Sequence, residues 1–233
     1  NFSGHISLIL LVISLIALGW FAWRWHRRYI KGGRDIELPS YRQWYVMFFW
    51  AFFTHILLDS MTAYGTQLFY PFSDWRIAIN NIAVVDPLYT IPFMILVIFA
   101  GSFYRRDSWR KIINISAIGL SSIYLIFTLY NHARVKHIFK ESLRDQKIEY
   151  THLNVTPTIF NNALWSGVAR NGDQYYFGRY SIFDQKDEVL HFRRIDGNHE
   201  LLKEKEDYPS YEKLRWFSNG YFGLIERDGF IQY

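Results

Sequence analysis

Long apolar runs dominate the first 130 residues of the chain and are absent from the rest. Each run approaches the ~20 residues that a helix needs to cross a bilayer, and aromatic side chains flank the runs as they do at membrane interfaces. One such run is also typical of a buried helix in a soluble protein, but four in succession predict a membrane-spanning bundle. The predicted spans are Ile6–Trp23, Trp44–Leu58, Pro87–Tyr104 and Ile112–Tyr130.

Basic residues between the runs predict how the bundle is oriented. The segments 24–43 and 105–111 are rich in Arg and Lys, whereas Arg76 is the only basic residue in segment 59–86. Because basic loops stay on the cytoplasmic side, we expect a multi-pass protein of the cell (inner, cytoplasmic) membrane. Segment 59–86, the N-terminal end and everything after Tyr130 would then be extracytoplasmic.

The pattern changes after Asn131, so three regions are predicted: a transmembrane domain over 1–130, a polar helical linker over 131–148 and a β-rich extramembrane domain over 149–233. In the last region, short β-branched and aromatic runs alternate with turn signals such as Asn171-Gly172, Asp196-Gly197 and Asp228-Gly229. Such dipeptides between strands favour hairpins. We expect an antiparallel sheet or small sandwich. Its role could be that of a lid, a substrate-binding module or a structural cap, and the sequence leaves these alternatives open.

The composition limits which metal ligands and which binding partners the chain can have. The chain has no cysteine, so a metal ion would need His, Asp, Glu or neutral oxygen ligands. The net charge of +5 lies mainly beside the apolar runs, where topology and anionic lipid explain it better than nucleic acid does. We therefore expect membrane lipid as a partner and no nucleic acid, and the oligomeric state is left open.

Candidate catalytic residues lie at the predicted outer end of the second span. His55 and Asp59 are four residues apart, which places both on one helix face, and Thr62 continues that face. Ionisable groups near hydrocarbon are costly and are usually functional. Topology brings His5 and Asp86 to the same side of the membrane.

These four residues predict a divalent metal site, most simply zinc, with His55 and Asp59 also catalytic. An unligated Asp would act as general base. Thr62 and Tyr64 are predicted to contact substrate. The alternatives are structural: an interhelical hydrogen bond for His55, an interfacial carboxylate for Asp59, a helix N-cap before Pro87 for Asp86, a terminal residue without a role for His5, and a turn at Tyr64.

Four blocks, in order along the chain, resemble the membrane-bound metal-dependent hydrolase family typified by the bacterial YdjM, YbcI and YfhP proteins. They are His55-Ile56-Leu57-Leu58-Asp59, Thr62-Ala63-Tyr64-Gly65-Thr66-Gln67, Tyr70-Pro71-Phe72-Ser73 and Val85-Asp86-Pro87-Leu88-Tyr89. Two later stretches, Val155–Trp165 and Arg215–Ser218, resemble the outer domain of the YfhP-like branch. The resemblance implies hydrolase activity and metal ligation by His55, Asp59 and Asp86.

The resemblance also implies an upstream segment ending in an Arg-Gly-x-Thr-His-Ser-like motif before the first span. Residues 2–7 lie where that motif belongs and depart from it. Since the chain starts at Asn1 and stops within a strand-like pattern at Tyr233, we expect sequence to be missing at both ends.

Three functions are therefore compared. The first is a membrane-bound metal-dependent hydrolase that acts on a lipid or phosphoester at the outer face. The second is a non-enzymatic scaffold or receptor whose β-domain binds a partner. The third, a transporter or channel, is disfavoured because the predicted spans lack mid-span ionisable residues and paired helix breaks. Pro92 is the one proline inside a predicted span.

Overall fold

The computed structural model describes residues 19–20, 22–23, 26–27, 39–103, 107–184, 190–202, 213, 215–218, 220–227 and 230–232. Most of the predicted first span, and His5, lie outside these ranges.

Helix α1 spans Tyr41–Met61. Ser40 caps its start in a reciprocal arrangement, in which the Ser40 hydroxyl accepts from the Gln43 amide and the Gln43 side chain accepts from the Ser40 amide. Its aromatic side chains are exposed around most of the helix, and successive rings stack at a spacing of four, as Phe49 does on Phe53 with centroids 5.8 Å apart. A surface this apolar is suited to contact with lipid.

Helix α2 spans Pro87–Ala100 and helix α3 spans Ser108–Asp145; the two pack against each other. With 14 residues, α2 is shorter than the predicted span, because the backbone turns after Ala100 at Gly101 and Ser102. Among the helices in the described ranges, α1 and α3 are long and apolar enough to cross a membrane. The structure thus gives two candidate spans where the sequence predicted four.

The connection from α1 to α2 folds back on the end of α1. The amides of Ile79 and Asn81 donate to the carbonyls of Ser60 and Met61, the last two residues of α1. Gly65 sits in this connection at φ +66°, where a Cβ atom would lie 2.6 Å from the Ile77 carbonyl oxygen, so the turn requires glycine. At one side of the bundle, α1 ends at Met61, α2 begins after Asp86 and the apolar stretch of α3 ends at Tyr130. This side is called the sheet side below.

The C-terminal region is an antiparallel β-structure, as predicted. Strands β1 (His152–Pro157), β2 (Leu164–Asn171), β3 (Gln174–Ser181) and β4 (Arg193–Asp196) form one sheet in the order β1-β2-β3-β4. A two-residue loop, Gly172-Asp173, joins β2 to β3, and Asn171 before it pairs with Gln174 after it. A short 3₁₀ helix, His199–Leu202, follows β4, and β5 (Ile225–Arg227) pairs with β6 (Phe230–Gln232) in a separate two-stranded sheet.

The second half of α3 is part of the core of this β-structure. The helix continues without a break through the predicted linker 131–148 as far as Asp145, and Val135, Phe139 and Leu143 are fully buried. Phe139 packs over Gly167 of β2, where a Cβ atom would overlap the phenyl ring. One helix therefore both runs through the apolar region and carries the sheet.

Candidate functional site

The closest pairing of predicted catalytic groups is at the last turn of α1. The Nε2 atom of His55 lies 3.5 Å from Oδ2 of Asp59, and their side chains are 74% and 51% exposed. The spacing of four residues places both on one face, as helix geometry requires. An imidazole nitrogen and a carboxylate oxygen this close and accessible can ligate one cation, or the carboxylate can orient the imidazole.

The residues after the pair shape the exit from α1. The hydroxyl and the backbone N–H of Thr62 both donate to the main-chain carbonyl of Asp59, and Thr62 itself leaves helical geometry. This arrangement ends the helix directly beside Asp59. Tyr64 is exposed on the following turn, and its ring meets that of Phe217 edge-on at 6.3 Å between centroids.

Asp86 has a different environment. It is 2% exposed and caps α2, with Oδ1 accepting from the amides of Leu88 and Tyr89 at 3.0 and 3.4 Å. Its other oxygen, Oδ2, accepts from the hydroxyl of Tyr124 at 2.8 Å. Both carboxylate oxygens therefore already accept hydrogen bonds within the protein, which gives Asp86 a structural role as the cap of α2.

The described ranges contain no group of three or more His, Asp or Glu side chains arranged to hold a metal ion. His55 and Asp59 thus come together without Asp86, and His5 lies outside the residues described. A catalytic zinc takes three protein ligands, so the pair alone would not complete such a site.

A buried set of amides and one hydroxyl connects the helices to the sheet. Asn162 donates from Nδ2 to the Asn81 carbonyl at 2.8 Å and accepts from Asn131 Nδ2 at 3.0 Å, while Asn81 Nδ2 donates to the Thr128 hydroxyl at 2.7 Å. All four residues are buried. We call Asn81, Thr128, Asn131 and Asn162 the amide joint; it holds the start of β2 against the sheet side of the helices.

A second contact brings the C-terminal segment over the connection that follows the pair. Arg76 donates from a guanidinium nitrogen to the Phe217 carbonyl at 3.1 Å, and its guanidinium lies 5.1 Å from the centre of the Trp216 ring. With the contact between Tyr64 and Phe217, this places aromatic residues of the β-region beside the exit of α1.

His132, two residues beyond the end of the apolar stretch of α3, is mostly enclosed. Burial lowers its pKa below the usual 6.5, and the charge of Lys136 lowers it further, while a hydrogen bond with the Val155 backbone acts in the opposite direction. Its ring lies 5.9 Å from that of Trp165. His132 therefore favours the neutral form in the folded protein.

Sequence reasoning did not identify the amide joint or the partner of Asp86. Asparagine is common in turns and after helices, so Asn80-Asn81 and Asn161-Asn162 carried no signal for pairing. The contacting residues are 31 to 81 positions apart along the chain. Tyr124 is one of several aromatic residues in an apolar run, and its hydroxyl has no distinguishing neighbour in sequence.

Comparison with known proteins agrees with the membrane character of the helices. The family described as YdjM inner membrane protein matches residues 5–135, more than half of the 233-residue chain. No curated protein and no solved structure gives a significant match. The match covers α1 with the His55–Asp59 pair, the connection from α1 to α2, α2, and α3 as far as Val135, so the chain belongs to the YdjM inner membrane protein family.

Proposed function

We propose that this membrane protein is a metal-dependent hydrolase that acts on a lipid or phosphoester at the outer membrane face. The observation that carries the proposal is the accessible His55–Asp59 pair, whose Nε2 and Oδ2 atoms lie 3.5 Å apart at the sheet-side end of an apolar helix. A substrate at the bilayer surface would meet this pair directly. The carboxylate and imidazole are the groups that hydrolytic metal sites use in a chain without cysteine.

The topology that goes with this proposal has four spans, with the sheet side facing outward. The first span would come from residues 6–23, and α2 would complete the third with the residues that follow Ala100. The basic segments 24–43 and 105–111 support this orientation.

Zinc fits the pair by ligand chemistry, with His55 Nε2 and Asp59 Oδ2 as two ligands and His5 as the candidate third. The bound ion would supply Lewis-acid polarisation of the scissile bond and an acidified water. An Asp that is not bound to the ion would accept a proton as general base. Thr62 holds the Asp59 backbone, and the exposed ring of Tyr64 offers a surface for the apolar part of a substrate.

Metal content of the full-length protein tests the proposal. We expect about one zinc ion per chain after purification without chelator, and loss of that ion in His55→Ala and Asp59→Ala. His152→Ala and Asp74→Ala are matched controls, since both remove exposed groups elsewhere in the chain. Hydrolysis of phosphoester and phospholipid substrates should fall with the metal and return on adding zinc.

Wild-type protein without stoichiometric metal would reject the proposal, as would full metal content in the His55→Ala, Asp59→Ala double variant. Retained metal with no hydrolysis of any lipid or phosphoester would reject the reaction class alone.

A scaffold or receptor function is the second candidate, favoured by a cavity on the sheet. The cavity measures about 470 Å³ and is lined by Arg179, His191 and Arg193 with Asp184 and apolar neighbours. A partner-binding protein would tolerate His55→Ala and Asp59→Ala and would lose function on Arg179→Ala with Arg193→Ala, which separates the two candidates.

A further inference from the structure

The turn between β1 and β2 presents two large apolar side chains that the rest of the described protein leaves uncovered. Ile159 is 73% exposed and Phe160 is 61% exposed. They stand side by side at the tip of the turn, which runs from Thr158 to Ala163. Exposed apolar pairs of this kind are unfavourable in water unless something covers them.

The turn is built to hold this tip in a fixed shape. Asn161 accepts at Oδ1 from the amides of Ala163 and Leu164 and donates from Nδ2 to the Thr158 hydroxyl at 3.0 Å. Phe160 has φ +70°, a left-handed conformation that costs about 1–2 kcal/mol in a residue with a Cβ atom. A bulky aromatic residue kept at such a position points to a role for the side chain.

The amide joint fixes the height of this tip relative to the membrane helices. Asn162 bonds to the Asn81 carbonyl, and the Asn81 amide bonds to Met61, the last residue of α1. Asn162 also bonds to Asn131, which directly follows the apolar stretch of α3. The end of α1 and the end of the apolar stretch of α3 therefore both lie near Asn162.

Phe160 precedes Asn162 by two residues, so its backbone lies within about 7 Å of that residue. The headgroup layer adds about 5–8 Å on each side of the hydrocarbon core of a bilayer. If the hydrocarbon core ends where α1 and the apolar stretch of α3 end, the tip would lie at the height of the lipid headgroups, where aromatic side chains are enriched in membrane proteins.

We propose that Ile159 and Phe160 form a lipid-contacting anchor, which inserts into the headgroup region of the leaflet on the sheet side. The anchor and the amide joint then hold the β1 edge of the sheet at the membrane surface by two separate contacts. The edge faces the bundle here, because Asn154 of β1 accepts from Asn80 in the connection that follows α1. The proposal does not depend on hydrolase activity.

The absence of cysteine from the chain makes a direct test simple. Ile159→Cys and Phe160→Cys would each be labelled with an environment-sensitive fluorophore in the full-length protein. The labelled protein would be placed in nanodiscs of phosphatidylethanolamine and phosphatidylglycerol, which leave both membrane faces open to solutes. Quenching would be compared between lipids spin-labelled near the headgroup and iodide in the buffer.

Phe183→Cys is the matched control. Phe183 is an exposed phenylalanine that follows β3 as Phe160 follows β1, at the same end of the sheet. It stands two strands farther from the β1 edge, about 10 Å at the usual strand spacing.

For positions 159 and 160 we expect blue-shifted emission, several-fold stronger quenching by the spin-labelled lipids than at position 183, and weaker quenching by iodide. Equal iodide quenching at 160 and 183 would overturn the proposal, because the tip would then lie in water. Protection of position 160 from both quenchers would also overturn it and would indicate a covering protein surface, from a second copy or another part of this chain.

Discussion

Replacing Asn162 with alanine is the most direct test of the amide joint. The change removes the donor to the Asn81 carbonyl and the acceptor of the Asn131 amide, and it keeps the main-chain carbonyl that accepts from Trp165 Nε1. Two buried polar groups lose their partners, and each such loss costs about 1–3 kcal/mol. We therefore expect the free energy needed to separate the sheet from the helices to fall by about 2–6 kcal/mol.

Hydrogen exchange measured by mass spectrometry on the full-length protein in nanodiscs reports this opening. Even the lower limit of 2 kcal/mol corresponds to an increase of about 30-fold in the open population. The effect should appear in peptides covering 155–165 and 76–84, since these segments meet at the joint.

Asn171→Ala is the matched control, because it makes the same side-chain change at the other end of β2. Exchange in Asn162→Ala that equals exchange in Asn171→Ala would refute the reasoning, since it would show that the amides do not hold the sheet to the helices.

Three further predictions concern stability in detergent, measured as the midpoint of thermal unfolding. Because folding lowers the pKa of His132, the unfolded chain takes up a proton at this residue before the folded protein does as the pH falls below about 6.5. The midpoint of the wild type should therefore fall more steeply with decreasing pH than that of His132→Gln, and parallel plots of midpoint against pH would contradict this. Phe139→Ala should cost about 3–5 kcal/mol because the ring is fully buried, whereas Phe183→Ala should have little effect; similar midpoints would show that the Phe139 site collapses freely. Phe160→Gly should raise stability by up to about 1 kcal/mol by relieving the left-handed backbone, and a lower midpoint would mean that contacts of the ring with detergent or protein outweigh that relief.

Local rules accounted for the starts of elements and for the candidate pair. Asp86-Pro87 predicts an N-cap and first turn, and the structure has both. Asn171-Gly172 predicts the hairpin that joins β2 and β3. The four-residue spacing of His55 and Asp59 predicts neighbouring side chains, because a helix repeats about every 3.6 residues.

The length of α2 was not predictable from hydropathy. The apolar run continues past Ala100, but the amides of Ser102 and Phe103 bond back by three residues, to Phe99 and Ala100, instead of by the four residues of an α-helix. Hydropathy averages over such a turn, whereas the backbone hydrogen bonds end the helix there.

The sequence pattern indicated that the second half of α3 packs against the sheet, but this role was not predicted. Val135, Phe139 and Leu143 recur every four residues, which is typical of an amphipathic helix with one buried face. Charged neighbours made the segment resemble a solvated linker. The amide joint lies beyond such reasoning, since no local rule pairs asparagines that are dozens of residues apart.

The unbroken course of α3 has a mechanical consequence. From Asn131 to Asp145 the helix extends about 22 Å beyond the apolar region and ends within the sheet. A change of about 10° in its tilt would therefore move that end by about 4 Å. A change in bilayer thickness that altered the tilt of α3 would therefore move the sheet with it. The amide joint lies near the pivot, at Asn131, so the displacement would be greatest at the far end of the helix, at Asp145.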